Sequence, residues 1–231
     1  MHAILDHVEH TTPRMWTFWF QPELALRFEA GQYLELTVPH ADTDSRGPTR
    51  WMSLSSSPTE PLLGITTAFP ASNPSSYKRA LRALQPGARV TVGEPIGDFV
   101  LPKSSAIPLV FVVGGIGIAP VRSIVHELHL RNEHRAIKLI YSVNAPSELG
   151  FTDVFASYPL EFVPVISQPA AGWHGKTGRL TTAHTLELIG DIPGKLIYLS
   201  GPQGLIEPLF NSLIASGLPR AQLVLDYFPG Y

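Results

Sequence analysis

The chain has 231 residues and contains no cysteine. It can therefore form no disulfide, and it can supply no thiolate ligand to a zinc ion or an iron–sulfur cluster. A chain without disulfides fits a reducing compartment, and the first ten residues lack the basic and then apolar profile of a signal peptide. We therefore expect a cytoplasmic protein.

An excess of either charge is also lacking. The 17 lysines and arginines nearly balance the 19 aspartates and glutamates, so no overall field attracts nucleic acid or an anionic membrane. The longest apolar run, around residues 105–121, is interrupted by glycine and proline and is too short to span a membrane. We expect a globular protein with neither nucleic acid nor a membrane span among its partners.

Residues 1–102 favour strands. Stretches of strand length follow one another between turn residues, as in QYLELTV (32–38), LLGITTAF (62–69) and ARVTVGEP (88–95). This pattern is typical of an antiparallel barrel or sandwich. One segment differs: SSYKRALRAL (75–84) has capping serines followed by apolar residues at helical spacing, which predicts a helix.

The pattern changes after a linker at 101–108. Short apolar segments then alternate with helical ones, and this alternation predicts an open parallel sheet with right-handed crossovers. The strands are predicted at 109–113, 137–143, 160–167, 195–200 and 221–228, and the helices at 119–131 and 203–216. The change in pattern predicts two domains, residues 1–104 and residues 105–231.

A glycine-rich loop, VVGGIGIAPVRSI (112–124), joins the first of these strands to its helix. Gly115 and Gly117 allow a phosphate to approach the backbone closely, and the helix N-terminus favours an anion. Pro120 removes one N–H, but in the first helical turn that donor has no intrahelical partner. The loop is therefore a candidate phosphate site, and a tight turn that binds nothing is the alternative.

Three segments together resemble a known family. The loop has the form G-x-G-x-x-P, YLSGPQG (198–204) follows some eighty residues later, and RWMSLSSSP (50–58) lies far upstream. Their order over nearly the whole chain is similar to that of the ferredoxin–NADP reductase-like flavoprotein superfamily. The resemblance implies a Greek-key antiparallel barrel that binds FAD, followed by a Rossmann-like α/β domain that binds NAD(P)H.

In the first domain, the resemblance implies that Arg50 binds the flavin phosphate and that Ser53, a catalytic residue, lies near the flavin N5. Met52 stands where the family commonly stacks an aromatic residue, and a thioether can also contact a ring. The remaining flavin contacts implied here are Trp51, Leu54, Thr66, Thr67, Ser75 and Ser76. Ser75 and Ser76 suggest a second phosphate site at a helix N-terminus, which favours FAD over FMN, although plain N-capping and a solvated Arg50 are the alternatives.

In the second domain, the resemblance implies that Gly115, Gly117 and Pro120 hold the nicotinamide dinucleotide pyrophosphate. Ser200, which replaces the family's usual cysteine, is the second catalytic residue, and Gly201 and Pro202 accompany it beside the nicotinamide. Ser142, near the end of the second strand, matches a serine that NADP-using relatives often have there, and the resemblance implies that it contacts the dinucleotide. No acid follows it there, and Asn144 stands where NADP-using relatives often have arginine. NADH and NADPH both remain open as donors, with a slight preference for NADH.

At the C-terminus, the resemblance implies that Phe228 covers the far face of the flavin. Tyr227 and Tyr231 are rival candidates, and core packing of a last strand is the alternative. His126 and His129 are three residues apart on a predicted helix, but two histidines do not make a closed metal site. We expect no bound metal.

These features predict an NAD(P)H-dependent flavoprotein reductase. Hydride would pass from the nicotinamide to FAD, and electrons would then leave for a separate protein or a small acceptor, because the chain has no iron–sulfur relay of its own. Two alternatives remain: a reductase component of a multi-protein redox or oxygenase assembly, and a flavin-binding protein that has lost turnover.

Overall fold

The computed structural model describes residues 1–226, so the predictions on Tyr227, Phe228 and Tyr231 lie outside the described residues. Within this range the chain forms two six-stranded sheets, one antiparallel and one parallel. No helix in it is both long and apolar enough to cross a membrane. No cluster of three or more histidine, aspartate or glutamate side chains suited to a metal ion occurs in residues 1–226.

The first sheet is a nearly closed barrel. Its strands, in the spatial order β4-β3-β6-β1-β2-β5, are β1 (His2–His10), β2 (Met15–Pro22), β3 (Tyr33–Thr37), β4 (Thr49–Ser53), β5 (Leu63–Ala68) and β6 (Arg89–Val92). A bridge between Leu54 and Ile65 joins the two outer strands. The predicted antiparallel barrel is confirmed, and its interior is filled by alternating apolar side chains such as Leu34, Leu36 and Val90.

One helix, α1 (Ser76–Ala83), packs on this barrel. Ser75 is its N-cap, and the Ser75 hydroxyl accepts a hydrogen bond from the Lys78 N–H at 3.3 Å. Tyr77 and Leu81 are buried against the barrel, and the Tyr77 hydroxyl donates to the Leu36 carbonyl at 3.1 Å. The predicted helix at 75–84 is therefore present, with its first and last residues acting as caps.

The second sheet is parallel and has helices on both faces. Its strands, in the order β10-β9-β8-β7-β11-β12, are β7 (Leu109–Gly114), β8 (Ile137–Val143), β9 (Glu161–Ile166), β10 (Lys176–Thr177), β11 (Leu196–Ser200) and β12 (Leu223–Asp226). Its helices are α2 (Ile118–Leu130), α3 (Thr152–Ala156), α4 (Thr182–Ile189) and α5 (Gln203–Ala215). The predicted parallel α/β sheet is confirmed, whereas α4 and the short elements β10 and α3 were not predicted.

The strand order explains where a ligand can bind. The chain runs outward from β7 through β8 and β9, and then returns to place β11 on the other side of β7. The carboxyl ends of β7 and β11 therefore lie side by side at the switch point, which is the usual binding crevice of such sheets. Strands of the first sheet end at Val92 and those of the second begin at Leu109, so the domain boundary at 104/105 stays a prediction.

The loops after β7 and β11 touch through their backbones. Gly115–Gly117 form a single 3₁₀ turn before α2. A Cβ atom on Gly117 would lie only 2.4 Å from the carbonyl carbon of Ser200. Gly117 is therefore required by close approach of the two loops rather than by its backbone angles.

We predict that Gly117→Ala destabilises the protein, because the added methyl overlaps backbone that cannot rotate away. Overpacking of this kind typically costs about 1–3 kcal/mol of unfolding free energy, which urea denaturation measures. Gly204→Ala in α5 is the control, since its added Cβ meets no atom within 4 Å and alanine favours a helix. Equal stability of the two variants would contradict the close approach.

Candidate functional site

A cavity of about 490 Å³ opens between the two sheets, within the range of about 300–1,000 Å³ typical of small-molecule sites. Strands β4 and β5 and helix α1 form its barrel side. The loops after β7 and β11 and the end of β12 form its other side. The cavity therefore collects residues from segments that are far apart in the sequence.

Most of the predicted site residues line this cavity. Those that do are Arg50, Trp51, Met52, Ser53, Thr66, Thr67, Ser75, Gly117, Ser200, Gly201 and Pro202. Others do not line it: Leu54 is buried in the barrel core, Pro120 is buried in the first turn of α2, and the Ser76 hydroxyl instead accepts from the Asp44 N–H at 3.2 Å. Gly115 and Ser142 also lie outside the cavity wall, although Gly115 adopts the left-handed φ of +49° that shapes the turn.

Four cationic side chains line the cavity, so its described lining carries more positive than negative charge. They are Arg14, Arg46, Arg50 and Lys78, all from the barrel side, whereas Asp226 is the single carboxylate among the described lining residues. The whole chain is slightly acidic, so this concentration of positive charge is local. Such a surface attracts anionic groups such as phosphates.

The Arg50 side chain is 3% exposed, and its two terminal nitrogens have partners within the protein. Its guanidinium donates to the Arg46, Gly47 and Thr49 carbonyls and forms an ion pair with Asp44 at 3.0 Å. Hydrogen bonds from Arg46, together with the charges of Arg46 and Arg50, lower the pKa of Asp44 to about 2. Asp44 is therefore ionised at neutral pH and occupies one donor face of the Arg50 guanidinium.

The two predicted catalytic serines meet at one carboxylate. The Ser200 hydroxyl donates to Asp226 Oδ2 at 3.0 Å, and the Ser53 hydroxyl approaches the same oxygen at 3.4 Å. Ser200 and Asp226 are opposite each other in the β11–β12 register, whereas Ser53 comes from the barrel. Burial raises the pKa of Asp226 to about 6, although the two serine hydrogen bonds oppose that shift.

The residues around the predicted ring-stacking position alternate along β4. Arg50 and Met52 are buried, and Trp51 and Ser53 point the other way and are partly exposed. Met52 is 8% exposed and packs in the barrel core while also lining the cavity. Trp51 contacts Tyr33 edge-on, with ring centroids 5.4 Å apart.

The end of β8 carries an acid that the sequence pattern missed. Glu148 is four residues beyond Asn144, but the short turn at Pro146–Glu148 returns it to the strand end. Its Oε2 accepts from the Asn144 backbone N–H at 3.2 Å, and the Asn144 side chain in turn accepts from Ser167. A carboxylate at the end of the second strand is suited to bind ribose hydroxyls.

Comparison with known proteins finds oxidoreductases that share part of the sequence or the whole fold. Residues 111–209 match the oxidoreductase NAD-binding domain family. The FAD/NAD-binding domain of nitric oxide dioxygenase from Vibrio cholerae O1 biovar El Tor superimposes with a TM-score of 0.82 at 22% identity, covering 98% of each chain. A ferredoxin NADP+ reductase from Neisseria gonorrhoeae with bound FAD and NADP gives 0.80 at 23% identity, covering 98% of this chain and 97% of its own.

Sequence relatives agree with this class. The reductase component of phenol 2-monooxygenase from Pseudomonas sp. (strain CF600) is 26% identical over 211 residues. The aligned region covers 87% of this chain but only 58% of the length of that relative. An NAD(P)H-flavin reductase from Vibrio harveyi is 29% identical over 174 residues, or 70% of each protein. In sequence and fold the chain is therefore similar to the ferredoxin–NADP reductase-like flavoproteins, the resemblance that its motifs predict.

We predict that Asp226 makes stability depend on pH. In an unfolded chain this carboxyl titrates near 3.8, and burial raises its pKa to about 6 in the fold. The folded protein therefore keeps a proton that the unfolded chain has released, so the unfolding free energy falls as pH rises from about 4 to about 6, by on the order of 2–3 kcal/mol. Asp226→Asn should lose that dependence, as urea denaturation across pH 4–8 would measure.

A matched control is Asp42→Asn, which removes an exposed carboxyl of the barrel domain. It should keep the slope of the wild-type pH profile. Parallel profiles for the wild type and Asp226→Asn would show that the carboxyl titrates equally in both states.

Proposed function

We propose that this chain is an NAD(P)H-dependent flavoprotein reductase that holds FAD on the barrel side of the cavity and receives the nicotinamide on the other side. The observation that carries this proposal is the cavity itself, in which four cations and Ser75 at the N-terminus of α1 surround one side while two glycine loops open the other. Both sides suit dinucleotides, because pyrophosphates bind cations, helix N-termini and glycine-rich backbone. The match of residues 111–209 to the oxidoreductase NAD-binding domain family, and the fold shared with a ferredoxin NADP+ reductase, support the same assignment.

The residues fit the flavin by their chemistry. Arg46 and Arg50 would bind phosphate, with Ser75 and the first N–H groups of α1 beside them. Thr66, Thr67 and the edge of β5 would contact the polar edge of the ring, and Met52 and Trp51 would contact its apolar surface. Bound flavin supplies acceptance of two electrons from reduced nicotinamide and their release to an acceptor.

Ser53, Ser200 and Asp226 would orient the two reactive rings. Each serine has one hydroxyl hydrogen, and an ionised Asp226 engages that hydrogen, which leaves the serine oxygens free to accept. They would then bind N–H groups, such as those of the nicotinamide carboxamide. Because Ser200 keeps a small polar group where the family usually has cysteine, we expect hydride transfer to be retained.

The electron acceptor is proposed to be a separate protein. Relatives with 26% and 24% identity are named as reductase components of phenol 2-monooxygenase and propane 2-monooxygenase, and this chain covers 58% and 55% of them. No cysteine is available for an iron–sulfur relay within this chain. A small acceptor is the second candidate, supported by the relative named NAD(P)H-flavin reductase.

The full chain should turn yellow with FAD, and anaerobic NADH should bleach the colour in a stopped-flow experiment.

We predict that Arg50→Ala raises the dissociation constant for FAD about tenfold to a hundredfold, since a charge-assisted hydrogen bond contributes about 1.5–3 kcal/mol. Asp44→Asn should lower the same constant, because the carboxylate no longer occupies Arg50. Flavin fluorescence quenching measures both, and equal affinities in all three proteins would argue against Arg50 as the phosphate ligand.

We predict that Glu148 disfavours NADPH. Its carboxylate lies at the end of β8, where on the proposed function the adenosine ribose would bind, so it would repel a 2′-phosphate. The double variant Asn144→Arg/Glu148→Gln should raise the ratio of kcat/KM for NADPH to that for NADH by at least about tenfold, or 1.4 kcal/mol. Glu161→Gln, an exposed acid at the opposite end of the neighbouring strand, should leave the ratio unchanged, and an unaltered ratio in the double variant would remove Glu148 from the donor site.

A further inference from the structure

Lys78 is one of the four cations in the cavity wall, and the proposed reductase mechanism gives it no individual role. It lies in the first turn of α1, and its ammonium group reaches across to strand β5. There it donates to the Thr67 hydroxyl and, at 2.9 Å, to the Ala68 carbonyl. It also lies 5.5 Å from the centre of the Phe69 ring.

No carboxylate offsets this charge among residues 1–226. Their ion pairs involve other cations, including Arg46 and Arg50 on the same cavity, and none joins Lys78 to an acid. Desolvation lowers the pKa of Lys78 to about 8, so the group is still mainly protonated at neutral pH. An ammonium has three donors, and two of them have acceptors here, which leaves capacity for a further acceptor.

The neighbouring strand β5 indicates what kind of acceptor the Lys78 ammonium could bind. β5 pairs with β2 along one edge, and its residues Thr66–Ala68 line the cavity. Peptide groups beside an ammonium form a polar strip that suits a flat ring bearing carbonyl and N–H groups. On the proposed function, this strip receives the pyrimidine edge of the flavin.

We propose that Lys78 sets the reduction potential of the bound flavin by placing a positive charge beside the pyrimidine edge of its ring. This inference rests on the proposed function. Hydride transfer delivers two electrons and one proton to a neutral ring, so one net negative charge is left on it, spread over the pyrimidine portion. A nearby cation stabilises that charge and leaves the neutral oxidised ring nearly unaffected, which raises the potential.

The test compares midpoint potentials of the full chain loaded with FAD, measured by equilibration with a reference dye. Lys78→Met should lower the ratio of reduced to oxidised flavin at a fixed potential about tenfold, which is about 30 mV for a two-electron couple. Lys78→Arg should restore the wild-type value. Arg79→Met is the matched control, since it removes the next cation of the same helix, whose side chain is exposed.

Each outcome decides a different point. Lys78→Met removes a desolvated charge and fills the site with an apolar chain, so the variant should fold. If the Lys78→Met variant has the same midpoint potential as the wild type, the inference is wrong. If that variant also binds FAD more weakly, Lys78 is instead a phosphate ligand. A wild-type chain that binds FAD but is not reduced by NADH or NADPH would refute the proposed reductase while leaving the potential measurable, and failure to bind FAD would refute both.

Discussion

The site depends on the contact between helix α2 and the loop at residues 55–60. The Arg122 guanidinium forms an ion pair with Glu60 and donates to the Ser55 carbonyl at 2.9 Å, and the Ser123 hydroxyl donates to the Ser56 carbonyl at 2.6 Å. Breaking one partner of such a buried pair typically costs about 3–5 kcal/mol, because the other charge is left uncompensated. These contacts fix the position of the parallel sheet against the barrel, and with it the separation of the two sides of the cavity.

Much of the fold and part of the site could be predicted from the sequence. Strands with clear periodicity and the glycine loop were predicted because each depends on residues close together in the chain. The contact of Gly117 with Ser200 depends on the order of strands in the sheet, which local patterns do not specify. Lys78 was missed because a lysine on an amphipathic helix is usually solvated, and Glu148 because a turn brings it back to the end of β8.

The chemistry of Asp226 also depends on contacts between segments that are far apart in the sequence. Asp226 ends β12, but its burial and its two serine partners follow only from the register of β11 and β12 and from the fixed position of the barrel. Its raised pKa is a consequence of that assembly. The hydrogen bonds of Ser53 and Ser200 therefore depend on how the barrel and the parallel sheet position this one carboxyl group.

The two sides of the cavity differ in how strongly they can hold a dinucleotide. All four lining cations come from the barrel, whereas the described lining on the α/β side consists of glycine, proline, small or uncharged residues and the acid Asp226. Charge-assisted hydrogen bonds are roughly twice as strong as neutral ones. On the proposed function, the barrel therefore retains its flavin between turnovers, and the glycine loops bind the nicotinamide weakly enough to release it after each one.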